Sequence, residues 1–493
     1  MSSNSNNGSA QEVRELDDKQ GRKDNKKGKH SVDMTEGPFL KKMIFFAIPI
    51  ILSGLLQSLY NAADLIVVNF FTEGDTAVGA IGCTSAITNL VLALVMGLSV
   101  GAGVLVAHYV GAKQYDDVRS VVNTSVVLSL VFGVAIAIVG FFISEPLLVL
   151  MDTSPAVLPY ATLYMKIIFL GAPASLLYNY VASMLRSAGD SKRPLIFLAL
   201  SGLLNVLLNV FLVTVFNMDV AGVAIATVVS QYASAIMAVG YLMRTDGEMK
   251  IVLKDLKVDF KKFKKILYIG IPSGIQGSLF SLSNTLIQAA MNSIDQNFDA
   301  GNGNIVAGFA SAANLEGFLY IALHSIYSVS LTFVGQSVGA KKYENVKKLT
   351  GYAVLIVIVL GFVMGGGMMI FREPLLRLYV RGDVAMSAAM TRFCIIIPTY
   401  FLCGIMDTLC GTLRALNKSL TSMVISLIST CGVRILWIHT VFAYFGTGEI
   451  LFLSYPVTWI LSLSVHLIFI IVITNKMIKR QRSELLLASE DIK

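Results

Sequence analysis

The chain has 493 residues, of which 55% are hydrophobic and only 14% are charged, and its mean hydropathy is +0.70. This composition excludes an ordinary soluble globular protein, in which about 25% of residues are charged. The net charge of +8 does not indicate nucleic-acid binding. The basic residues are concentrated in loops on one side of the predicted membrane spans, as described below.

Twelve apolar segments follow one another along the chain, each near the length of roughly 20 residues that crosses a hydrocarbon core as a helix. They cover residues 43–71, 77–108, 119–143, 160–185, 194–216, 220–243, 265–292, 305–335, 349–371, 385–412, 419–445 and 450–475. The sequence therefore predicts an all-α polytopic membrane protein with twelve transmembrane helices.

The basic residues give this topology an orientation. Of the 39 Lys and Arg residues, 33 lie in the tails and loops on the side that holds the N-terminus, and three lie in loops on the other side, namely Arg372, Arg377 and Arg381. Positive loops stay in the cytoplasm. Both termini are therefore predicted to be cytoplasmic, and the protein is predicted to reside in the cell membrane.

The second half of the chain repeats the first. "VGAKQYDDVR" at 110–119 recurs as "VGAKKYENVK" at 338–347, and "LRSAGDS" at 185–191 recurs as "LRALNKS" at 413–419, both at a shift of 228 residues. Near the start of each half the shift is 223 residues, as between Asn61 and Asn284. Six spans return the chain to the same side of the membrane, so the halves are predicted to be parallel six-helix repeats, a known transporter plan.

The repeat divides the chain into five parts. We expect a disordered cytoplasmic tail at 1–36, an N-half at 37–243, a basic cytoplasmic connector at 244–264, a C-half at 265–477 and a second tail at 478–493. The end of the connector is predicted to be an amphipathic helix with Asp259 as its N-cap and an apolar face of Phe260, Phe263 and Leu267.

Polar residues interrupt the first span at helical spacing. They form one stripe of a helix and comprise Gln57, Tyr60, Asn61 and Asp64. The fifth and sixth spans each add a polar pair one helical turn apart, Asn205 with Asn209 and Thr227 with Gln231. A charge inside a membrane span is expensive and usually functional, which makes Asp64 the leading site residue.

Depth places these groups together. Asp64 lies seven residues before Phe71 at the outer end of its span, and Asn209 and Thr227 lie equally far from the outer ends of theirs. At 1.5 Å per residue, all three lie about 10 Å below the outer surface. Oxygen-rich groups of this kind suit Na⁺ or a carboxylate that takes up a proton. For the Asn and Thr residues, interhelical hydrogen bonding without transport chemistry stays equally open.

Two more acids lie deep in the C-half. Glu316 and Arg434 lie at matching depths, so a structural ion pair between them and a substrate role for Glu316 are both open. Asp407 either attracts a cation or pairs with Arg414 at the cytoplasmic end of the same helix.

The remaining conspicuous residues receive structural interpretations. The five cysteines contain no CxxC pair and are predicted to be small apolar filler. The GxxxG at Gly97 and Gly101 predicts close helix packing. Local packing or hydrogen bonding is predicted for His108, His324, His439 and His466, and helix kinks are predicted near Pro49, Pro173, Pro272 and Pro398.

Several motifs occur in one order over residues 36–478: "NAADLIVV" in the first span, the paired "VGAK" loops, "LRSAGDSKRP" and "LNVLLN…AGVAIATVVSQ". Together they resemble the multidrug and toxic compound extrusion (MATE) family, in particular its bacterial NorM/DinF-type branches. The resemblance implies a V-shaped bundle that exports mainly cationic organic compounds by alternating access, in exchange for H⁺ or Na⁺.

The resemblance also implies particular residues. A cation site, with Na⁺ as one possible ion, would use Asp64, Asn205 and Thr227. Many members carry a second acid where this chain has Asn209, and the single carboxylate modestly favours a proton.

Some relatives carry an acid in the seventh span, where this chain offers only Asn284 and Gln288. Glu316 and Asp407 are then the acids available to the C-half.

The expected partners are small-molecule drugs or toxic organic cations and membrane lipids, without a cofactor or nucleic acid, and the protein is expected to be a monomer. The runner-up function is a lipid-linked oligosaccharide flippase, which would favour a cationic cavity. A membrane enzyme would need a catalytic cluster that the sequence does not offer, and a channel suits a duplicated bundle with two different polar sites less well. The sequence thus predicts a secondary active transporter.

Overall fold

The computed structural model describes residues 34–71, 76–245, 247–252, 254, 256–299 and 301–490. Within helices, the side chains at 61–63, 65, 66, 68–71, 76–78, 86 and 488–490 fall outside the description. The described part of the chain is helical and contains no strand.

The N-half consists of seven helices, of which α4 and α5 together make one bent span. They are α1 (Phe39–Phe71), α2 (Thr76–Gly111), α3 (Tyr115–Leu150), α4 (Leu158–Leu170), α5 (Ala172–Ser187), α6 (Lys192–Thr214) and α7 (Asp219–Arg244). The predicted kink near Pro173 is confirmed, because α4 and α5 meet at Gly171 with a bend of 46°.

The C-half repeats this order. Its helices are α8 (Phe260–Phe298), α9 (Asn304–Gly339), α10 (Glu344–Ile370), a short α11 (Arg372–Arg377), α12 (Asp383–Ala415), α13 (Ser419–Phe445) and α14 (Gly448–Glu490). Two π-helical segments interrupt α13, Leu427–Gly432 and Ile438–Phe442. Pro49, Pro272 and Pro398 lie inside helices that continue through them.

The all-α membrane fold is confirmed. Among the described residues, ten helices are long and apolar enough to cross a membrane, and the bent α4–α5 pair makes an eleventh. The twelfth long helix, α8, has 39 residues but carries four Lys in its first turns and many Ser, Gln and Asn residues, which lower its hydropathy. Large apolar side chains such as Phe142 on α3 are exposed, as expected of surfaces in contact with lipid.

Two predicted boundaries shift. Asp259 caps α8 as predicted, since its carboxylate accepts from the backbone N–H groups of Lys261 and Lys262. The amphipathic turn after it is continuous with the seventh span, however, and is not a separate helix. The predicted C-terminal tail is also helical up to Glu490, because α14 extends past residue 477 and Gln481 donates to the Lys341 carbonyl.

The first and last described segments lie on one side of the bundle, called here the tail side; the opposite side is called the far side. Glu36 pairs with Lys342 and Arg482 pairs with Glu344, which brings both ends to the α9–α10 loop. The predicted tail at 1–36 falls mostly outside the described residues, but Met34 is fully buried. Packing therefore begins slightly before the predicted boundary.

The two halves meet near the tail side through helices α2 and α8. A Cβ atom on Gly97 would lie 2.1 Å from the backbone nitrogen of Gly274, and one on Gly101 would lie 2.2 Å from the carbonyl oxygen of Ile266. These helices therefore pack backbone to backbone, which confirms the prediction for the GxxxG pair.

A pair of equivalent contacts closes the tail side further. His108 Nε2 lies 2.6 Å from the Ala415 carbonyl, and Gln336 Nε2 donates to the Ser187 carbonyl at 2.8 Å. Each side chain thereby caps the last residue of a helix in the opposite half. His108 and Gln336 are 228 residues apart, as are Ser187 and Ala415, so the duplicated loops build a pseudo-symmetric lock between the halves.

Candidate functional site

The predicted polar cluster forms in the N-half, where α1, α6 and α7 converge. Asp64 is 6% exposed, and Asn205 and Asn209 are fully buried. Asn209 Nδ2 donates to Asp64 Oδ1 at 2.5 Å, and Thr227 Oγ1 donates to Asp64 Oδ2 at 3.1 Å. Helical spacing explains the convergence, because each residue occupies the inward stripe of its own helix.

The four side chains close a ring of hydrogen bonds. Asn209 Nδ2 also donates to Asn205 Oδ1 at 3.0 Å, and Asn205 Nδ2 donates to Thr227 Oγ1 at 3.3 Å. The Asn and Thr donors therefore point around the ring toward the two carboxylate oxygens of Asp64. Such an arrangement stabilises a carboxylate anion.

Asp64 has no basic partner among the described residues, although a buried charge is normally paired. Next to it, Asn209 Oδ1 is buried and accepts no hydrogen bond. A carboxylate oxygen and an unsatisfied amide oxygen in one cluster are the kinds of group that can bind a proton or a small cation.

A cavity of about 200 Å³ opens beside this ring. Asp64, Tyr60 and Gln57 line it from α1, and Thr227 and Gln231 line it from α7. The other walls include Tyr164, Met165, Phe169 and Met96, so the chamber is mostly apolar with a few polar groups, which suits an organic ligand.

Of the other polar residues predicted in the N-half, some have described side chains and one does not. The Tyr60 hydroxyl lies 3.4 Å from the Thr227 carbonyl, and Gln231 Oε1 is buried without a partner. The side chain of Asn61 lies outside the described residues.

A sequence profile of the MatE family matches the chain twice, over residues 49–211 and 278–440. The chain belongs to the MatE family. One match falls in each half and reaches from its first span into its fifth, which agrees with the predicted duplication. The predicted membership of the multidrug and toxic compound extrusion family is thereby confirmed.

Curated relatives of this MatE protein span most of its length. The chain is 27% identical over 432 residues to the probable multidrug resistance protein YoeA of Bacillus subtilis, covering 86% of this chain and 91% of YoeA. It is 24% identical over 413 residues to the probable multidrug resistance protein NorM of Thermotoga maritima, covering 83% and 87%. It is 23% identical over 391 residues to the FAD transporter of Shewanella oneidensis, covering 76% and 84%.

A solved structure described as the outward-facing conformation of a multidrug resistance MATE transporter superposes with a TM-score of 0.84. It is 20% identical, and the match covers 91% of this chain and 99% of the other. This likeness establishes the shared fold, including the arrangement of two six-helix halves.

The C-half of the MatE protein pairs its acids differently from the prediction. Glu316 forms a two-pronged ion pair with Arg392, with both N–O distances 2.8 Å, and both side chains are buried. The predicted partner Arg434 is thus wrong. Sequence depth alone did not distinguish the two arginines, because both lie at a level that α9 can reach.

Asp407 also has an unpredicted partner. Its Oδ2 lies 2.7 Å from Nδ1 of His324, whose ring stacks between those of Tyr320 and Tyr327. The predicted pairing with Arg414 is wrong, since Arg414 donates to the Tyr327 hydroxyl and to Gln276 Oε1. The helical spacing of Tyr320, His324 and Tyr327 on α9 is the feature of the sequence that could have indicated this cluster.

Two further polar contacts in the C-half were not predicted from the sequence. Cys410, predicted to be filler, lies 3.2 Å from His466 Nε2 in a buried cluster with Ser426. Asn284 and Gln288 on α8 are both exposed, and Asn284 Oδ1 accepts from Arg434 Nη1 at 3.4 Å.

Proposed function

We propose that this MatE protein is a multidrug efflux antiporter that exports organic, mainly cationic, compounds in exchange for protons. The observation that supports the proposal most directly is Asp64, a buried carboxylate without a basic partner that borders a mostly apolar chamber. Relatives named as multidrug resistance proteins, matched over most of their length, support the substrate class.

The coupling would follow from competition for one carboxylate. In its ionised form, Asp64 attracts a cationic compound into the chamber, whose Tyr, Phe and Met walls hold the compound's apolar part. When Asp64 takes up a proton from the far side, this attraction is lost and the compound leaves. Because the two ligands exclude one another, each reorientation of the halves carries one of them.

The geometry of the halves agrees with one stage of this cycle. The tail side carries most of the basic loop residues, so we assign it to the cytoplasm. The helix contacts at Gly97–Gly274 and the caps at Ser187 and Ala415 close that side. The protein would then be outward-facing, ready to release its compound and to bind a proton.

Protons are favoured over Na⁺ because the ring holds a single carboxylate. The Asn209 and Thr227 donors already bond its two oxygens, and Asn209 Oδ1 is the unsatisfied oxygen beside them. For Na⁺ to bind at Asp64, Asn205 and Thr227, these donors would first have to turn away from the carboxylate.

The test is efflux of a fluorescent organic cation from proteoliposomes with pH and Na⁺ gradients imposed separately. An inward-directed proton gradient should drive efflux in the absence of Na⁺, and a Na⁺ gradient at equal pH should not. Efflux driven by Na⁺ alone would overturn the proton assignment, and no efflux under either gradient would overturn the antiporter.

A further inference from the structure

Arg434 on α13 is a buried guanidinium without a carboxylate partner in the described part of the chain. It is 4% exposed, and its Nη1 makes two long contacts of 3.4 Å, to Ser283 Oγ and to Asn284 Oδ1. Its Nε is buried and donates to no acceptor. Its guanidinium also lies 4.2 Å from the centre of the Tyr455 ring. A charge in this setting costs several kcal/mol unless something satisfies it.

The other buried arginines of the C-half are better satisfied. Arg392 is neutralised by the two-pronged pair with Glu316. Arg414 also leaves its Nε without an acceptor, but it makes two hydrogen bonds of 2.5 and 2.7 Å one residue before the end of α12, where the helix dipole favours a cation. Arg434 lies eleven residues before the end of α13, which is about 16 Å inside the membrane. Neither explanation therefore applies to it.

Asn284 connects the buried Arg434 to the exposed surface of α8. On α8, Gly274 and Gly277 pack against α2 near the tail side. The same helical stripe continues toward the far side through Asn284 and Gln288, which are exposed. These polar residues therefore lie on the same side of α8 as the contacts with the N-half, and Asn284 links Arg434 to this exposed stripe.

The backbone around Arg434 is also unusual. The α-helical turn Val433–Trp437 that carries it lies between the two π-helical segments of α13. Isolated π segments within helices occur frequently at functional sites.

We propose that Arg434 and Asn284 form an anion subsite at this exposed stripe of the C-half, and that it binds the carboxylate of a small zwitterionic or anionic organic substrate. The planar guanidinium supplies charge and the Nε–H donor that the protein leaves unused, which matches the geometry of a carboxylate. The inference extends the proposed transport function, because it adds substrates with a carboxylate to the organic cations attracted by Asp64.

The test compares a fluorescent fluoroquinolone, which carries both an ammonium and a carboxylate, with its methyl ester, which lacks the carboxylate charge. Both affinities are measured by fluorescence polarisation on the purified full chain in detergent. The ratio of acid affinity to ester affinity should fall roughly tenfold in R434Q, the size expected for a lost charge-assisted hydrogen bond. R434K should lower the ratio less, because lysine keeps the positive charge and loses only the planar pair of N–H donors.

A second substitution acts from the exposed side and spares the buried arginine. N284D places a carboxylate beside Arg434 and should displace that of the ligand, which again lowers the ratio, whereas N284A should change it much less. The control R377Q removes an exposed arginine of α11 that pairs with Glu373, and it should leave the ratio unchanged.

An unchanged ratio in R434Q, R434K and N284D overturns the subsite. Equal weakening of acid and ester in R434Q, with no selective effect of N284D, assigns Arg434 a purely structural role and also overturns it. A failure of the transport proposal would be seen in a different measurement, as the absence of cationic dye efflux by the unaltered protein. The affinity measurements described here need no gradient and do not depend on that result.

Discussion

The two halves share the same arrangement of helices but differ in the sign of the charge that each buries. Position 64 of the N-half is an unpaired acid, and the equivalent position 287 of the C-half is a buried Ile. In the C-half, Arg434 is buried without a carboxylate partner among the described residues, one residue after the counterpart of Asn205 at a shift of 228. The helices around both sites correspond, but the charges have opposite signs.

By contrast, the contacts that close the tail side are nearly the same in both halves. Gly111 and Gly339 approach the carbonyls of Gln336 and His108 so closely that an added Cβ would lie 2.0 and 1.9 Å away. The close contacts on the tail side are therefore symmetrical, whereas the residues around Asp64 and Arg434 differ between the halves.

The largest effect is expected when the buried acid of the N-half is removed. D64N keeps the size of the side chain and removes its charge, so drug resistance conferred by the protein should fall to the level of cells without it. Membrane abundance should stay unchanged. The matched control is D152N, the same exchange in an exposed turn with φ 54°, where Asn is well tolerated. Full resistance in D64N would show that the acidic site is not required.

The second substitution tests whether Glu316 is structural. E316Q leaves Arg392 buried and unpaired and should destabilise the protein by about 3–5 kcal/mol, seen as a lower melting temperature. The double variant E316M/R392M should recover most of this loss. In comparison, E373Q breaks an exposed pair on α11 and should cost at most about 1 kcal/mol. If E316Q melts like the unaltered protein, the ion pair does not stabilise the C-half.

The third substitution tests the symmetry of the close contacts on the tail side. In G339A the new Cβ would meet the His108 backbone, which cannot yield without separating α2 from α9. G111A should act equally through Gln336. Spin labels at the exposed, equivalent positions Asp116 and Glu344 should report longer distances in both variants and no change in the control G351A, which has open space. A shift in only one variant would contradict the symmetrical lock.

The smallest effects are expected from removing single hydrogen bonds to the two buried charges. T227V removes one donor to Asp64, and a bond to a charged group contributes about 1.5–3 kcal/mol, so dye efflux should fall about tenfold. S283A removes only a 3.4 Å contact to Arg434 and should change cationic dye efflux little. Equal effects of the two variants would remove the distinction between the halves.

The fold and the N-half site were largely predictable from the sequence, because helical periodicity and equal depth place Asp64, Asn209 and Thr227 together without knowledge of the packing. The partners of Glu316 and Asp407 were not predictable in this way. Depth gives only one coordinate, and the choice between Arg392 and Arg434 depends on how α12 and α13 rotate about their axes. The continuation of α8 and α14 beyond the apolar spans was missed because the boundaries were set by hydropathy, whereas helical structure extends into polar turns.

The central claim is that a proton and an organic cation compete for Asp64, and proton release on binding tests it most directly. A cationic dye is added to the purified protein in lightly buffered solution, and the pH change is recorded with an indicator. The account predicts release of up to about one proton per bound dye, and none in D64N. Equal proton release from D64N and the unaltered protein would contradict it.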